Sequence, residues 1–235
     1  MEKISPGQIH LADQRVITEN NTFRRCSIFN YDGHFNEHRK AFGPLRVFND
    51  EILAAGKSIA IQVQNPCYFI VLPVTGALLV EDTEGKSTVV DVGEVYINYA
   101  NSGDILTLNN PYPNDWVNFL QLQIDADTEV FPFFNQTFNF DFEGRQNELI
   151  SVIPTLFRLP FNLHIGRFDG RADALYRLKT PGSLFYAFVI AGAFELQGRL
   201  MHERDGLALW NLEEVDMEAL SNSAVMLVLE MEAVA

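Results

Sequence analysis

Short apolar segments separated by turn-forming residues run through nearly the whole chain. In the first half they are rich in Val, Ile and Phe and partly alternate apolar with polar residues, which is typical of β-strands. These segments are residues 59–64, 68–74, 77–82, 89–98 and 117–124. Clusters of Asp, Asn, Gly and Pro at residues 81–87, 101–104 and 109–115 supply turns between them. Strands and turns at this spacing predict an all-β sandwich or barrel.

The strand pattern stops at residues 126–147 and then returns. The later segments are residues 161–168, 174–180, 185–192, 193–201, 206–211 and 224–231. Both halves show a glycine, a polar-apolar strand, an apolar run and a second glycine, from Gly56 to Gly76 and from Gly170 to Gly192. This order indicates an internal duplication.

The predicted domains are an N-terminal barrel at 1–126, a linker at 127–147 and a C-terminal barrel at 148–235. We also expect the first strands of the chain to cross over and complete a sheet of the second barrel. Helix signals are weak. Residues 212–220 have a helical composition, but a strand fits them equally well.

The charge of the chain restricts its partners. It has 31 acidic and 17 basic residues, a net charge of -14, which repels phosphate backbones and anionic membranes. We therefore expect no direct binding to nucleic acid or membrane. Repulsion between copies favours a monomer, with a weak dimer as the alternative.

The remaining composition predicts a cytoplasmic protein. No apolar run reaches the roughly 18 residues that span a bilayer, and the N-terminal segment lacks the apolar core of a signal peptide. Cys26 and Cys67 are interpreted as partly buried thiols in a reducing compartment, because two cysteines do not make a disulfide framework.

The stretch GKSIAIQVQNPCYFIVLPVTG at residues 56–76 carries a recognisable spacing. It resembles the first cupin motif: Gly, five residues, His, one residue, His, three or four residues, Glu, six residues, Gly. The corresponding residues here are Gly56, Gln62, Gln64, Phe69 and Gly76, with Tyr68 as the alternative for the Glu. Gly93 stands where the second cupin motif opens.

Two such motifs in tandem resemble pirin and the bacterial quercetinase-like bicupins. The segment at residues 29–56, which contains FGPLRVFND, and the closing segment at residues 194–231 are similar to the same family. The resemblance covers nearly the whole chain and implies two tandem cupin jelly-roll barrels.

The resemblance also implies a metal site whose ligands are missing here. Metal-bearing members hold iron or a similar ion in the first barrel through two His of the first motif and a His and a Glu of the second. The corresponding residues of this chain are Gln62, Gln64, Leu106 and Leu108. Because amides are weak, uncharged ligands and leucines are none, we expect no metal and no cofactor.

Iron or another divalent metal is the alternative, in a site rebuilt from nearby donors. Those donors are His34, His38, Cys67 and Asp104, none of which has the motif spacing. In the second barrel the corresponding residues are Tyr176, Leu178 and Phe185, so that barrel is also expected to be metal-free.

The direction of the two glutamine side chains is left open by the sequence. In the cupin register the ligand positions point into the barrel, but packing of Ile59, Ile61 and Val63 between the sheets would turn both amides the other way. If the amides face inward, they contribute to a pocket for a small neutral or aromatic molecule. The candidate pocket residues are Gln62, Gln64, Tyr68, Phe69, Tyr99, Leu106 and Leu108. The alternative is that the amides only satisfy each other, a tyrosine and water.

Three functions follow from these residues. The first is a non-catalytic, pirin-related small-molecule-binding or interaction protein. The second is a quercetin 2,3-dioxygenase-like metal enzyme with unusual ligands, and the third is a metal-free isomerase or lyase, which needs an acid–base pair facing a barrel. The sequence reveals no such pair and no catalytic residue, so the balance favours a non-enzyme. His164 is interpreted as a strand residue with a structural hydrogen bond, and Arg46 as the partner of Asp50 or Glu51.

Overall fold

The computed structural model describes residues 5–31, 33, 35–126 and 134–233, and the strands in these ranges account for almost all of the regular structure. The described residues contain one 3-10 turn, at Ala12–Gln14, and no α-helix. The first strands are β1 (Gly7–His10), β2 (Val16–Glu19), β3 (Phe23–Ser27), β4 (Leu45–Leu53), β5 (Ser58–Gln62), β6 (Cys67–Thr75), β7 (Leu78–Glu81), β8 (Ser87–Val90), β9 (Glu94–Ala100), β10 (Ile105–Asn109), β11 (Val117–Asp125) and β12 (Asn135–Asn139). The later strands are β13 (Ile150–Ser151), β14 (Phe161–Phe168), β15 (Asp173–Arg177), β16 (Leu184–Ala191), β17 (Phe194–Leu196), β18 (Arg199–Met201), β19 (Gly206–Leu209), β20 (Glu214–Ala219) and β21 (Ala224–Met231).

These strands confirm the all-β prediction. Each predicted segment overlaps a strand, and β14 and β21 have the predicted limits. Residues 89–98 include parts of β8 and β9, and residues 193–201 include the whole of β17 and β18. The ambiguous residues 212–220 form β20, whose alternating burial places Val215, Met217 and Ala219 in the core. None of the helical structure described is long and apolar enough to cross a membrane.

The chain forms two compact units. The N-terminal unit is Arg15–Asn139, and the C-terminal unit combines Met1–Gln14 with Phe140–Ala235. These limits differ from the predicted 1–126, 127–147 and 148–235. The predicted linker contains β12, which pairs with β9 of the N-terminal unit, and the start of the chain belongs to the other unit.

The N-terminal unit is built from two antiparallel sheets. The larger has the order β12-β9-β6-β11-β4-β3-β2, and the smaller β5-β10-β7-β8. Apolar side chains from both sheets meet in one core, for example Phe69 and Phe119 from the larger sheet and Leu106 and Leu108 from the smaller. Burying this face drives the two sheets together.

The C-terminal unit repeats the same topology. Its larger sheet has the order β1-β19-β16-β21-β14-β13 and its smaller sheet β15-β20-β17-β18. Adding ten to the number of each strand in β5-β10-β7-β8 gives the second small sheet, and β9-β6-β11-β4-β3 becomes β19-β16-β21-β14-β13. The internal duplication is therefore confirmed at the level of strand order.

At one edge of each larger sheet, next to β9 and β19, the strands of the two units do not correspond in chain order. In the N-terminal unit β12 lies beside β9, whereas in the C-terminal unit β1 takes the equivalent place beside β19. The first strands were predicted to cross over to the second barrel; β1 does so, whereas β2 and β3 belong to the larger sheet of the N-terminal unit. Gly7 lies close to Leu209 in this pairing, and a Cβ there would come within 2.5 Å of the Leu209 side chain.

Two glycines mark equivalent turns in the two units. Gly76 between β6 and β7 has φ of 73°, and Gly192 between β16 and β17 has φ of 79°. Side chains other than glycine rarely adopt this conformation. The glycine spacing in the sequence thus reflects a backbone requirement shared by both barrels.

Candidate functional site

The β5 strand shows which way the two glutamines point. Ile61 and Val63 are buried in the core between the sheets, whereas Gln62 and Gln64 are exposed. The Gln64 amide donates at 3.3 Å to the backbone carbonyl of Gln62. The expectation that the cupin ligand positions point into the barrel is therefore wrong for this chain, and the alternative, with apolar neighbours inward, holds.

The facing strand completes an apolar interior at the motif positions. Leu106 pairs with Ile61 and Leu108 with Ile59, and both leucines are fully buried in the core with Phe69. Strand side chains alternate between faces, so a one-residue difference moves a whole set from core to solvent. Burying the aliphatic set is favourable by roughly 1.5–3 kcal/mol per side chain, which decides the direction of β5.

The two candidate tyrosines lie elsewhere. Tyr68 and Tyr99 are paired across β6 and β9, with ring centroids 6.0 Å apart and Phe134 6.3 Å from Tyr68. Their neighbours Phe69 and Ala100 belong to the core between the sheets, so the tyrosines face the opposite side of the larger sheet. The seven candidate pocket residues are therefore divided among three environments.

The donors considered for a rebuilt metal site do not converge in the described part of the chain. His38 is exposed, the Asp104 carboxylate accepts the backbone N–H of Asn101 at 2.8 Å, and His34 lies outside the described residues. Burial raises the pKa of the Cys67 thiol to about 12, which keeps it protonated at neutral pH. No group of three or more His, Cys, Asp or Glu side chains suited to a metal ion occurs among the described residues.

A pocket of about 780 Å³ nevertheless opens on the N-terminal unit. Part of its lining is buried: Val47, Ile61, Cys67 and Gln123. Gln62 and Gln64 line it from their exposed positions. The pocket therefore reaches from solvent to side chains on the inner face of the barrel. Its size is within the range of small-molecule sites, roughly 300–1,000 Å³.

A buried ion pair lies beside this pocket. Arg25, which lines it, donates to Glu51 through Nε at 2.8 Å and Nη2 at 3.2 Å. The Arg25 guanidinium lies 4.7 Å from the centroid of the Tyr31 ring. Burial raises the pKa of Glu51, while the charge of Arg25 acts in the opposite direction. Arg46 pairs instead with Asp125, so the predicted pairing of Arg46 with Asp50 or Glu51 is wrong.

A second polar feature of this barrel is a pair of amides. Asn49 and Gln121 are fully buried, and Asn49 Nδ2 donates to Gln121 Oε1 at 3.0 Å. Asn49 Oδ1 and Gln121 Nε2 have no hydrogen-bond partner among the described residues. Gln121 and Gln123 share one face of β11. The amides of Asn49 and Gln121 therefore lie next to Gln123 and extend the polar lining deeper into the barrel. The sequence did contain a signal, since both glutamines alternate with apolar residues in VNFLQLQI.

The C-terminal barrel holds a different polar group. The Tyr176 hydroxyl donates to Glu230 Oε2 at 2.7 Å, and the backbone N–H groups of Lys179 and Thr180 donate to Oε1 at 2.8 and 3.0 Å. Burial and the bond to Glu230 raise the pKa of Tyr176. Tyr176 was considered only as a lost ligand position, and the sequence did not reveal its link to Glu230.

His164 lies against this group. Its ring centroid is 5.0 Å from that of Tyr176, and its Nδ1 has no hydrogen-bond partner among the described residues. Burial and the charge of Lys179 lower its pKa to about 4, so the imidazole is neutral at pH 7. The structural hydrogen bond predicted for His164 is not formed at Nδ1 among the described residues, and the ring contacts Tyr176.

Comparison with known proteins agrees with this architecture. Residues 160–231 match the quercetinase C-terminal cupin domain. The chain is 22% identical over 211 residues to quercetin 2,3-dioxygenase of Escherichia coli strain K12, covering 85% of this chain and 87% of that protein. The crystal structure of YhhW from Escherichia coli superposes with a TM-score of 0.84 at 16% identity, covering 97% of this chain and 99% of that one. The bacterial pirin YhhW in complex with nickel(II) gives a TM-score of 0.78, also at 16% identity, covering 97% and 100%.

Two units of paired antiparallel sheets with the same strand order define a tandem cupin protein. Within that class, residues 160–231 match the quercetinase C-terminal cupin domain, and over most of its length the chain is similar to a quercetin 2,3-dioxygenase and to bacterial pirin structures, so it resembles the pirin-like bicupins.

Proposed function

We propose that this chain is a metal-free member of its family that binds a small organic molecule in the pocket of the N-terminal unit. The observation that carries the proposal is the pocket of about 780 Å³ that joins solvent to Gln123 and Ile61 in the barrel. Apolar side chains can bury a flat ligand, while a few amides fix its orientation. Among the described residues that line the pocket we identify no acid–base pair to which a reaction can be assigned, and we therefore propose binding rather than catalysis.

The absence of suitable ligands supports the metal-free part of the proposal. The side chains that face the interior at the motif strands include Ile61, Val63, Phe69, Leu106 and Leu108, none of which donates an electron pair to a metal. A divalent ion entering there would lose hydration without new bonds. The residues present do not fit a resident metal in this barrel.

A quercetinase-like oxidoreductase is the second candidate. It is favoured by the names of the similar proteins, which include quercetin 2,3-dioxygenase and a pirin in complex with nickel(II). Its requirement for metal gives the experiment that separates the two functions.

The test uses chelator-treated protein and quercetin as the probe. We expect quercetin to quench protein fluorescence saturably without metal, and Ala60→Trp, which fills the pocket lining, to weaken this binding at least tenfold. Val89→Trp is the control, because Val89 is 62% exposed on the same small sheet and does not line the pocket. Plasma mass spectrometry should find much less than one metal atom per chain. Stoichiometric metal, or quercetin loss that rises with added nickel or iron, would instead establish the oxidoreductase.

A further inference from the structure

The charged side chains that line the N-terminal pocket differ from those of the whole chain. The chain has 31 acidic and 17 basic residues. Among the described lining residues the cations are Arg25, Lys40 and Arg46, and the only carboxylate is Asp125. The described lining of this pocket thus carries mainly positive charge, although the protein as a whole is strongly acidic. Such a local reversal selects for a ligand charge that the rest of the surface repels.

The existing ion pairs show which of these charges a ligand would meet. Asp125 accepts Arg46 Nε at 2.5 Å, so its negative charge is compensated within the lining. Arg25 is held by Glu51, which does not line the pocket. Lys40 is exposed and forms no ion pair among the described residues. Its ammonium group is therefore the charge that an incoming ligand can compensate.

The remaining lining groups suit a flat body attached to an anionic group. The Tyr31 ring is held by its contact with the Arg25 guanidinium and lines the same pocket. Gln62, Gln64 and Gln123 supply amide N–H donors, which strengthen when they bind a charged acceptor. A neutral ligand gains the apolar contact but not the attraction to Lys40.

We propose that the pocket prefers small aromatic anions, with the carboxylate or phenolate group held at Lys40 and the amide side chains. This rests on the proposed function, since it names the ligand class of the same pocket.

A matched pair of probes tests the preference for charge. The probes are 2-naphthoate and 2-naphthamide, which have nearly the same shape and differ in charge. We expect titration calorimetry at low salt to show 2-naphthoate binding about fivefold tighter, the size of one partly exposed ion pair. The difference should shrink as salt is raised to about 0.3 M, where the screening length falls well below 10 Å.

Two lysine variants locate the effect. Lys40→Gln should bring the two affinities together, whereas Lys86→Gln should leave the difference unchanged, because Lys86 is exposed in the turn between β7 and β8 and does not line the pocket. Both positions are on the surface, and thermal melts check that the variants fold.

Each result has a distinct meaning. Equal binding of both probes to the unaltered protein would overturn the preference for anions and leave small-molecule binding in place. Binding of neither probe, together with no effect of Ala60→Trp on quercetin, would overturn the proposed function as well. A preference for 2-naphthoate that survives in Lys40→Gln would overturn the role of Lys40.

Discussion

Both units bury one carboxylate on the inner face of their larger sheet, but they satisfy it differently. Glu51 in the N-terminal unit is fully buried and faces a charged partner, Arg25, in a two-point ion pair. Glu230 in the C-terminal unit is 1% exposed and accepts three hydrogen bonds from neutral groups, the Tyr176 hydroxyl and two backbone N–H groups. The same fold therefore contains a charge-compensated site and a site stabilised by dipoles.

The difference matters for what each barrel can do. In the N-terminal unit the ion pair lies beside an open pocket, and Arg25 itself lines that pocket. In the C-terminal unit Glu230 ties the turn after β15 to the closing strand β21. We interpret the Arg25–Glu51 ion pair as part of a binding site, and the hydrogen bonds to Glu230 as a structural link that holds the C-terminal barrel together. Each interpretation predicts how its unit responds when the carboxylate is neutralised.

The largest expected effect is the response to losing the charge of Glu51. Glu51→Gln leaves the Arg25 guanidinium buried beside a neutral amide, which should destabilise the protein by about 3–5 kcal/mol. Glu230→Gln removes no charged partner from an ion pair and weakens only hydrogen bonds from neutral groups. It should therefore lower the free energy of unfolding by about 1–3 kcal/mol. Urea unfolding, followed by fluorescence and by circular dichroism, measures both.

The control is the exposed pair of Glu19 and Arg24, whose charged atoms are 3.5 Å apart and whose side chains are 62% and 48% exposed. Glu19→Gln should change stability by less than about 0.5 kcal/mol. If Glu230→Gln destabilised the protein as much as Glu51→Gln, the contrast between the two sites would be wrong.

The next effect is a pH dependence that belongs to the C-terminal unit. The pKa of His164 falls from 6.5 to about 4 on folding, first because of burial and then because of Lys179. Between these two pKa values the unfolded chain binds more protons than the folded chain. The contribution of neutral His164 to stability is therefore complete above pH 6.5 and is lost as pH falls through 4. The shift corresponds to about 3 kcal/mol over that window.

The measurement compares unfolding free energies at several pH values between 7 and 4. His164→Phe should flatten the slope in this window, whereas His202→Gln, at an exposed position of the same unit, should not. The three proteins have the same carboxylates, so a difference in slope between them reports on the substituted histidine. An unchanged slope in His164→Phe would show that His164 does not resist protonation in the folded state.

The sequence predicted the strands because β-strands with one buried face carry alternating apolar residues, and the alternation is local. It also predicted that Leu106 and Leu108 make the first motif site apolar, since a leucine offers no ligand in any orientation. Counting from Gly56 could not predict the direction of the Gln62 and Gln64 side chains. The spacing of the motif describes barrels whose ligand side chains point inward to a metal, and this chain lacks those ligands. Once the ligands are absent, the apolar residues alone decide which face turns inward.

The polar groups inside the barrels were missed for another reason. Arg25 and Glu51 are 26 residues apart, and Tyr176 and Glu230 are 54 apart. Such pairs depend on strand register across a sheet and between sheets, which residue types alone do not determine. A local signal existed for Glu230, since it is the one charged residue in AVMLVLEM, but it does not identify a partner.

The smallest expected effect tests the direction of β5 itself. Replacing Gln62 and Gln64 together by Ala should change the free energy of unfolding by less than about 0.5 kcal/mol, because both side chains are exposed. Ile61→Ala on the same strand should cost about 2–5 kcal/mol, because Ile61 is 3% exposed and packs in the core. Thermal and urea unfolding of the three proteins measure the difference. If the amides pointed into the barrel, removing them would leave cavities and unpaired groups, and the double variant would lose stability comparably to Ile61→Ala. Near-neutral stability with weakened binding of 2-naphthoate would instead support both the outward direction of the glutamines and their place at the pocket.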